Sequence, residues 1–90
     1  MKNYFSKYFE IVSEKPDSVE IKSMYHYWRI IEKDGLYFLH HKHNEDEPYH
    51  VQSHMPFASL SSIRKYISSH DNYIASTKQE KAPVMSRGKN

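Results

Sequence analysis

The sequence predicts an α+β domain, a small three-stranded antiparallel sheet with an N-terminal and a C-terminal helix in the order α-β-β-β-α. Three observations predict it. Asp34-Gly35 separates two runs of β-branched and aromatic residues, Tyr27-Trp28-Arg29-Ile30-Ile31 and Leu36-Tyr37-Phe38-Leu39-His40, and both central residues of a type I′ hairpin turn need φ > 0. Phe5, Tyr8, Phe9 and Val12 are spaced i, i+3, i+4, i+7, the period of an amphipathic helix. Leu60, Ile63, Tyr66 and Ile67 fall on one side of a second such helix, with Ser61, Ser62, Arg64, Lys65 and Ser68 on the other.

Taken in order, residues 4 to 14 form the first helix, with Asn3 as N-cap and Pro16 as its stop. Lys15-Pro16-Asp17-Ser18 reads as a turn, and Val19-Glu20-Ile21 alternates as a short edge strand or as the entry into Met24-Tyr25. The Asp34-Gly35 hairpin follows. Asn44-Glu45-Asp46-Glu47-Pro48 is an acidic loop, and Pro48, which cannot donate to a ladder, starts a third strand over Tyr49 to Ser53. Ser59 is the expected N-cap of the second helix. Residues 1 to 74 make one domain, and residues 75 to 90, without periodicity and rich in Lys, Ser, Pro and Gly, read as a disordered basic tail.

With Asp34-Gly35 as the turn, Ile31 lies opposite Phe38, Ile30 opposite Leu39, Arg29 opposite His40 and Trp28 opposite His41. Alternation then gives a core face of Trp28, Ile30, Leu39 and His41, joined by Val51 if apolar pairs with apolar. The opposite face carries Tyr25, Tyr27, Arg29, His40, Lys42, His50 and Gln52, with Ile31, Leu36 and Phe38 toward the turn. Tyr25, Tyr27, Arg29, His40, Lys42 and His50 are the expected binding residues. They form a positive patch that strengthens as histidine protonates near its ordinary pKa of about 6.5.

A chain of 90 residues is one domain, burying about 60 to 65% of its unfolded surface. The absence of cysteine excludes disulfides, thiolate metal sites and cysteine nucleophiles. Met1-Lys2-Asn3-Tyr4-Phe5 leads into a charged amphipathic segment rather than an apolar leader, and no stretch approaches the roughly 18 apolar residues of a membrane span, so a soluble cytoplasmic protein is expected. The whole chain is +2, but Lys78, Lys81, Arg87 and Lys89 against Glu80 place +3 in the tail, leaving residues 1 to 74 at −1.

Five of the seven histidines, His40, His41, His43, His50 and His54, lie within 15 residues. His50 and His54 on one strand stand roughly 13 Å apart, and the hairpin sends His40 and His41 to opposite faces. His40 with His50 is the one cross-strand pair this register defends, and no Asp or Glu completes it, so no metal and no cofactor are expected. A chain with two glycines holds no Gly-rich phosphate loop, and no Ser/His/Asp or paired-carboxylate arrangement is present. The expected protein is not an enzyme.

Arg29, then Gly35-Leu36-Tyr37-Phe38-Leu39, then Tyr49-His50-Val51, then Phe57-Ala58-Ser59-Leu60-Ser61-Ser62-Ile63-Arg64-Lys65-Tyr66 resembles the phosphotyrosine-binding Src-homology domain. That family has an arginine-bearing strand, a Gly-x-Tyr-x-Leu strand, a histidine-bearing strand and a Phe-x-Ser-Leu helix. The likeness covers about half the chain, with Tyr27-Trp28-Arg29-Ile30 in place of the family's Phe-Leu-Val-Arg and Glu32-Lys33-Asp34 in place of its Ser/Thr-bearing loop. It implies that Arg29 binds phosphate with His50 at the family's pocket histidine.

Three partner classes follow. Protein-protein binding of the adaptor or inhibitor type comes first, from a domain without catalytic groups and rich in Tyr, His and Met. Nucleic acid is the rival, because aromatic and basic residues interleave on a face followed by a basic tail, although the domain is net negative and the 44–48 loop adds three carboxylates. Phosphotyrosine-type binding is implied by the resemblance alone.

Overall fold

The computed structural model describes residues 1–87. Its order is α1 (Lys2–Phe5), β1 (Glu10–Lys15), β2 (Ser18–Lys22), β3 (Tyr27–Lys33), β4 (Leu36–Lys42), β5 (His50–Val51) and α2 (Leu60–Arg87). The strands form one antiparallel meander, β1-β2-β3-β4-β5. The class is α+β as expected, but the sheet has five strands rather than three.

The central hairpin forms as its turn residues dictate. Asp34 and Gly35 take φ of 56° and 77°, and the register pairs Ile31 with Phe38, Ile30 with Leu39, Arg29 with His40 and Trp28 with His41. Trp28, Ile30 and Leu39 are buried, as the core-face assignment requires.

The N-terminal third departs from expectation. The helix read over residues 4 to 14 ends at Phe5, and Glu10–Lys15 is a strand instead. One isolated turn of helix is marginal in water, whereas Pro16-Asp17 folds the following chain back so that Lys15 meets Ser18 and Ile11 meets Ile21. The ladder satisfies the backbone that a short helix leaves orphaned. Val12, expected on the helix stripe, is the extra residue where the register shifts between Ile11 and Ser13, and it is exposed. This bulge, with Glu10, Glu14 and Lys15, guards the sheet edge against pairing with another chain.

Val19 and Ile21, read as a short edge strand or an entry segment, belong to an interior strand and are fully buried. On the far side the third expected strand shrinks to two residues, paired His40 to Val51 and His41 to His50. This register is one residue off the expected one, so His50 moves to the Trp28 side and Val51 to the other. A one-residue slip exchanges every side chain between faces, and the two-residue strand has too little apolar area to enforce the expected choice; Val51 is 52% exposed. Beyond β5, Phe57 makes an isolated bridge to Tyr37 that continues along the β4 edge.

Both helices cover one face. Phe5 of α1 and Ile63 and Ile67 of α2 share a core with Val19, Ile21, Trp28, Ile30 and Leu39, and the Arg64 guanidinium donates to the Tyr4 hydroxyl at 3.0 Å. A sheet sandwiched between two helices is therefore not formed. The α2 stripe lies where the spacing puts it, with Ile63 and Ile67 buried and Leu60 and Tyr66 packed against the core. Ser59 caps the helix, its hydroxyl accepting from the Ser62 amide at 3.1 Å.

The boundary expected at residue 75 falls inside α2, whose backbone runs to Arg87. Ala75 to Lys81 contains no glycine or proline to stop it. The side chains that carry the expected tail's charge lie outside the described residues. Among those residues no helix is long and apolar enough to cross a membrane.

Candidate binding face and histidine cluster

The face of the sheet left uncovered by the described residues is built from the alternate residues of β2, β3 and β4. Cross-strand pairing puts Glu20 beside Arg29, Arg29 beside His40, and Lys22, Tyr27 and Lys42 in one row. Tyr49, in the connection before β5, lies across them. Its hydroxyl donates to Glu20 Oε1 at 3.2 Å, the Arg29 guanidinium stacks 4.6 Å from its ring centroid, and Lys42 Nζ lies 4.5 Å from the same ring and 5.5 Å from that of Tyr27. Burial first, and then the Glu20 carboxylate, push the Tyr49 phenol well above its ordinary pKa, so it stays a neutral donor.

Of the six expected binding residues, the structure gathers Tyr27, Arg29, His40 and Lys42. Tyr25 lies in the connection between β2 and β3, half-buried and off the strands. His50 pairs with His41 on the helix side, so the Arg29 and His50 that the Src-homology resemblance would bring together are divided by the sheet.

The expected protonation of the patch is also overturned at His40. Arg29 directs Nε and Nη2 at His40 Nδ1, at 3.3 and 3.1 Å. A guanidinium only donates, so this nitrogen accepts and the ring is held neutral. Burial, reinforced by Arg29 and His50, lowers the His40 pKa below its ordinary value.

A second constellation sits on the helix side. The β2–β3 connection closes on Ser23, whose amide donates to the His26 carbonyl at 2.9 Å, and presents His26 toward His41 of β4 and His70 of α2. One ligand nitrogen from each of these three rings lies within 4.8 Å of the others, and His26 Nδ1 and His41 Nε2 are 2.9 Å apart. His43 stacks on His26 with centroids 4.5 Å apart and planes inclined by 18°. His50 Nε2 approaches His41 Nδ1 at 3.4 Å. The indole of Trp28 underlies the group, 4.6 Å from His41 and 5.1 Å from His70 between centroids.

Beside the rings runs a buried polar relay. Trp28 Nε1 donates to Ser23 Oγ at 2.9 Å, Ser23 Oγ donates to Asp71 Oδ1 at 3.0 Å, and the Met24 amide donates to Asp71 Oδ2 at 3.1 Å. Asp71 is 9% exposed. Burial holds the histidines neutral: His41 is pushed down to about 4, with the surrounding imidazoles adding to the effect. His26 and His70 are lowered in the same way, and the Asp71 carboxylate opposes the shift in both. His26, His41 and His70 beside one carboxylate can donate and accept hydrogen bonds, take up protons at low pH, or ligate a soft-to-borderline cation.

The histidine-rich 40–54 window takes in His41 and His43 but leaves out His26 and His70. A signal existed: His70 continues the stripe of Ile63, Tyr66 and Ile67, and His26 precedes Trp28 by the two residues that put alternating side chains on one face. No protein-family model, curated protein or solved structure matches the chain.

Proposed function

We propose that the chain is a small binding module that engages a protein partner through the uncovered face of its sheet and performs no chemistry there. One observation carries this reading. Both helices lie on the Trp28 side, so Tyr27, Arg29, Lys42 and Tyr49 form a stacked cluster on a face with no cover among the described residues. Arginine and tyrosine are the residue types that most often anchor protein interfaces. Half-buried Ile31 and Phe38 and exposed Val51 extend the face with apolar area.

Charge favours a protein over a polyanion. Glu20 bonds into the centre of the cluster through Tyr49, Lys42 Nζ is drawn to the Glu45 carbonyl in the acidic loop, and Arg29 is committed to His40. A phosphate would compete with these contacts and meet Glu20.

The test is capture of partners by the full chain from its native extract, with and without nuclease, in parallel with Arg29→Ala and Tyr49→Ala. A protein retained after nuclease treatment and lost with both variants supports the reading. Retention only without nuclease, with affinity falling linearly in log salt, would replace it with nucleic acid. Saturable NMR shifts at Arg29 and His40 on titration with phosphotyrosine would replace it with a phosphate site.

A further inference from the structure

We propose that His26, His41 and His70 form a binding site for a divalent transition-metal ion of the zinc class. The site lies on the opposite side of the sheet from the proposed partner face and does not depend on it.

Geometry comes first. Zinc bound tetrahedrally at about 2.0–2.1 Å from each imidazole nitrogen sets those nitrogens about 3.3 Å apart. The three rings already bring one nitrogen each to within 4.8 Å of the others, and one pair stands at 2.9 Å. Closing the widest of these separations to that spacing takes at most about 1.5 Å, a shift on the scale of side-chain rotation. The ligands come from the β2–β3 connection, from β4 and from α2, so their convergence is a product of the fold and not of local sequence.

The hydrogen-bond inventory points the same way. His70 Nδ1 is buried and has no hydrogen-bond partner among the described residues, a state few buried polar atoms tolerate. An ion in the cluster gives the stranded ring a use. His41 also has the second contact that histidine ligands require. With Nε2 on the metal, its Nδ1 carries the proton and faces His50 Nε2 at 3.4 Å, an acceptor that fixes both tautomer and ring orientation.

The charge is provided for. Asp71 follows His70 in the chain, is 9% exposed, and has each carboxylate oxygen engaged, one by Ser23 and one by the Met24 amide. It therefore acts as a fixed negative charge beside the site rather than as a ligand, offsetting the cost of bringing a dication out of water. An all-nitrogen donor set selects zinc and its neighbours over magnesium and calcium, which prefer oxygen. Such an ion would pin α2 to the sheet, a staple suited to a domain with a core this small.

The experiment uses the full chain stripped of metal and titrated with Zn2+ by calorimetry, with Mg2+ as the control and circular dichroism as the check on folding. One equivalent of Zn2+ is expected to bind and to raise the melting temperature, while Mg2+ does neither. His70→Asn should weaken Zn2+ binding by at least about tenfold, and His26→Asn gives the same reading if the first variant does not fold. His54→Asn, at an exposed histidine outside the cluster, should bind as the wild type does. Equal Zn2+ affinity in the wild type and in the folded His70 or His26 variant would overturn the site. So would a loss of affinity in His54→Asn as large as theirs, or no saturable binding at all.

Discussion

Trp28 and Arg29 are neighbours in β3, yet Trp28 is fully buried beneath α2 while Arg29 stays half-exposed between Tyr49 and His40. The same contrast runs across the whole sheet. On the helix side, apolar residues and neutral histidines pack around a relay whose polar atoms are bonded to one another. On the open side, charged and aromatic groups stack at the surface and are satisfied by pairs that solvent also reaches. The first arrangement holds the fold together, and the second leaves a surface whose contacts can be exchanged for those of a partner.

The largest effect expected from breaking that contrast is at Trp28. Its indole contacts His41, Tyr66 and His70 and donates to Ser23. Trp28→Ala should cost about 3–5 kcal/mol, enough to unfold much of a small domain whose total stability is of the order of 5–10 kcal/mol. Urea denaturation followed by circular dichroism measures it. A variant within about 1 kcal/mol of the wild type would mean that the helix side is not the core.

Acid should act next, on the same side. His41 has a folded-state pKa of about 4 against about 6.5 when unfolded, so the unfolded chain takes up the proton first as pH falls. Stability from this residue is complete above pH 6.5 and is lost progressively as pH drops toward 4, by about 2–3 kcal/mol in metal-free protein. His26 and His70, lowered in the same direction, steepen the loss. Urea midpoints from pH 7.5 to 4.5 check this, and a flat profile would show that the rings are solvated.

How much of this contrast could be read in advance depends on what decides each element. The Asp34-Gly35 hairpin and its register were legible because the turn needs residues that tolerate positive φ, and two residues supply them. The α2 stripe was legible because 3.6-residue spacing admits few alternatives over two turns. Residues 4 to 14 were not: Phe5, Tyr8, Phe9 and Val12 fit a helix, but the decision fell to pairing with β2, a contact made only after Pro16-Asp17 reverses the chain. His50 failed for a related reason, since a two-residue strand carries no pattern strong enough to set its register. Of the open face, Tyr27, Arg29, His40 and Lys42 were legible by alternation, whereas Tyr49 entered through the loop before β5 and Glu20 through β2, whose pairing with β3 the short Val19-Glu20-Ile21 run did not fix. The histidine cluster was hidden because its third ring comes from α2, 29 residues after His41.

Asp71→Ala should have an intermediate effect. The substitution takes the acceptor from the Met24 amide and leaves the Ser23 hydroxyl only the longer contact to the His26 carbonyl at 3.4 Å. A buried donor left unpaired costs about 1–3 kcal/mol, and Met24, itself exposed, can draw in water, so about 2 kcal/mol in total is expected. Denaturant midpoints measure it. A neutral result would place the carboxylate in solvent and detach the relay from the core.

The smallest effect on folding, and the sharpest test of the contrast, belongs to Arg29→Ala. The side chain makes two hydrogen bonds to one imidazole nitrogen and one stacking contact with Tyr49, all on the open side. Cation–π contacts at such positions contribute about 0.5–1 kcal/mol, and His40, relieved of Arg29, can bond to water instead. The variant should therefore lose about 1 kcal/mol or less, several-fold below the cost at Trp28 one residue away. Removing the guanidinium also removes a charge that helps keep the His40 ring neutral, so the His40 pKa should rise toward its ordinary value, a change that NMR titration reads directly. Small destabilisation together with a raised His40 pKa and lost partner binding would mark Arg29 as a surface group in contact with both. A loss of 3 kcal/mol or more would mean that the open face supports the fold as the helix side does, and that its residues are held for stability rather than for a partner.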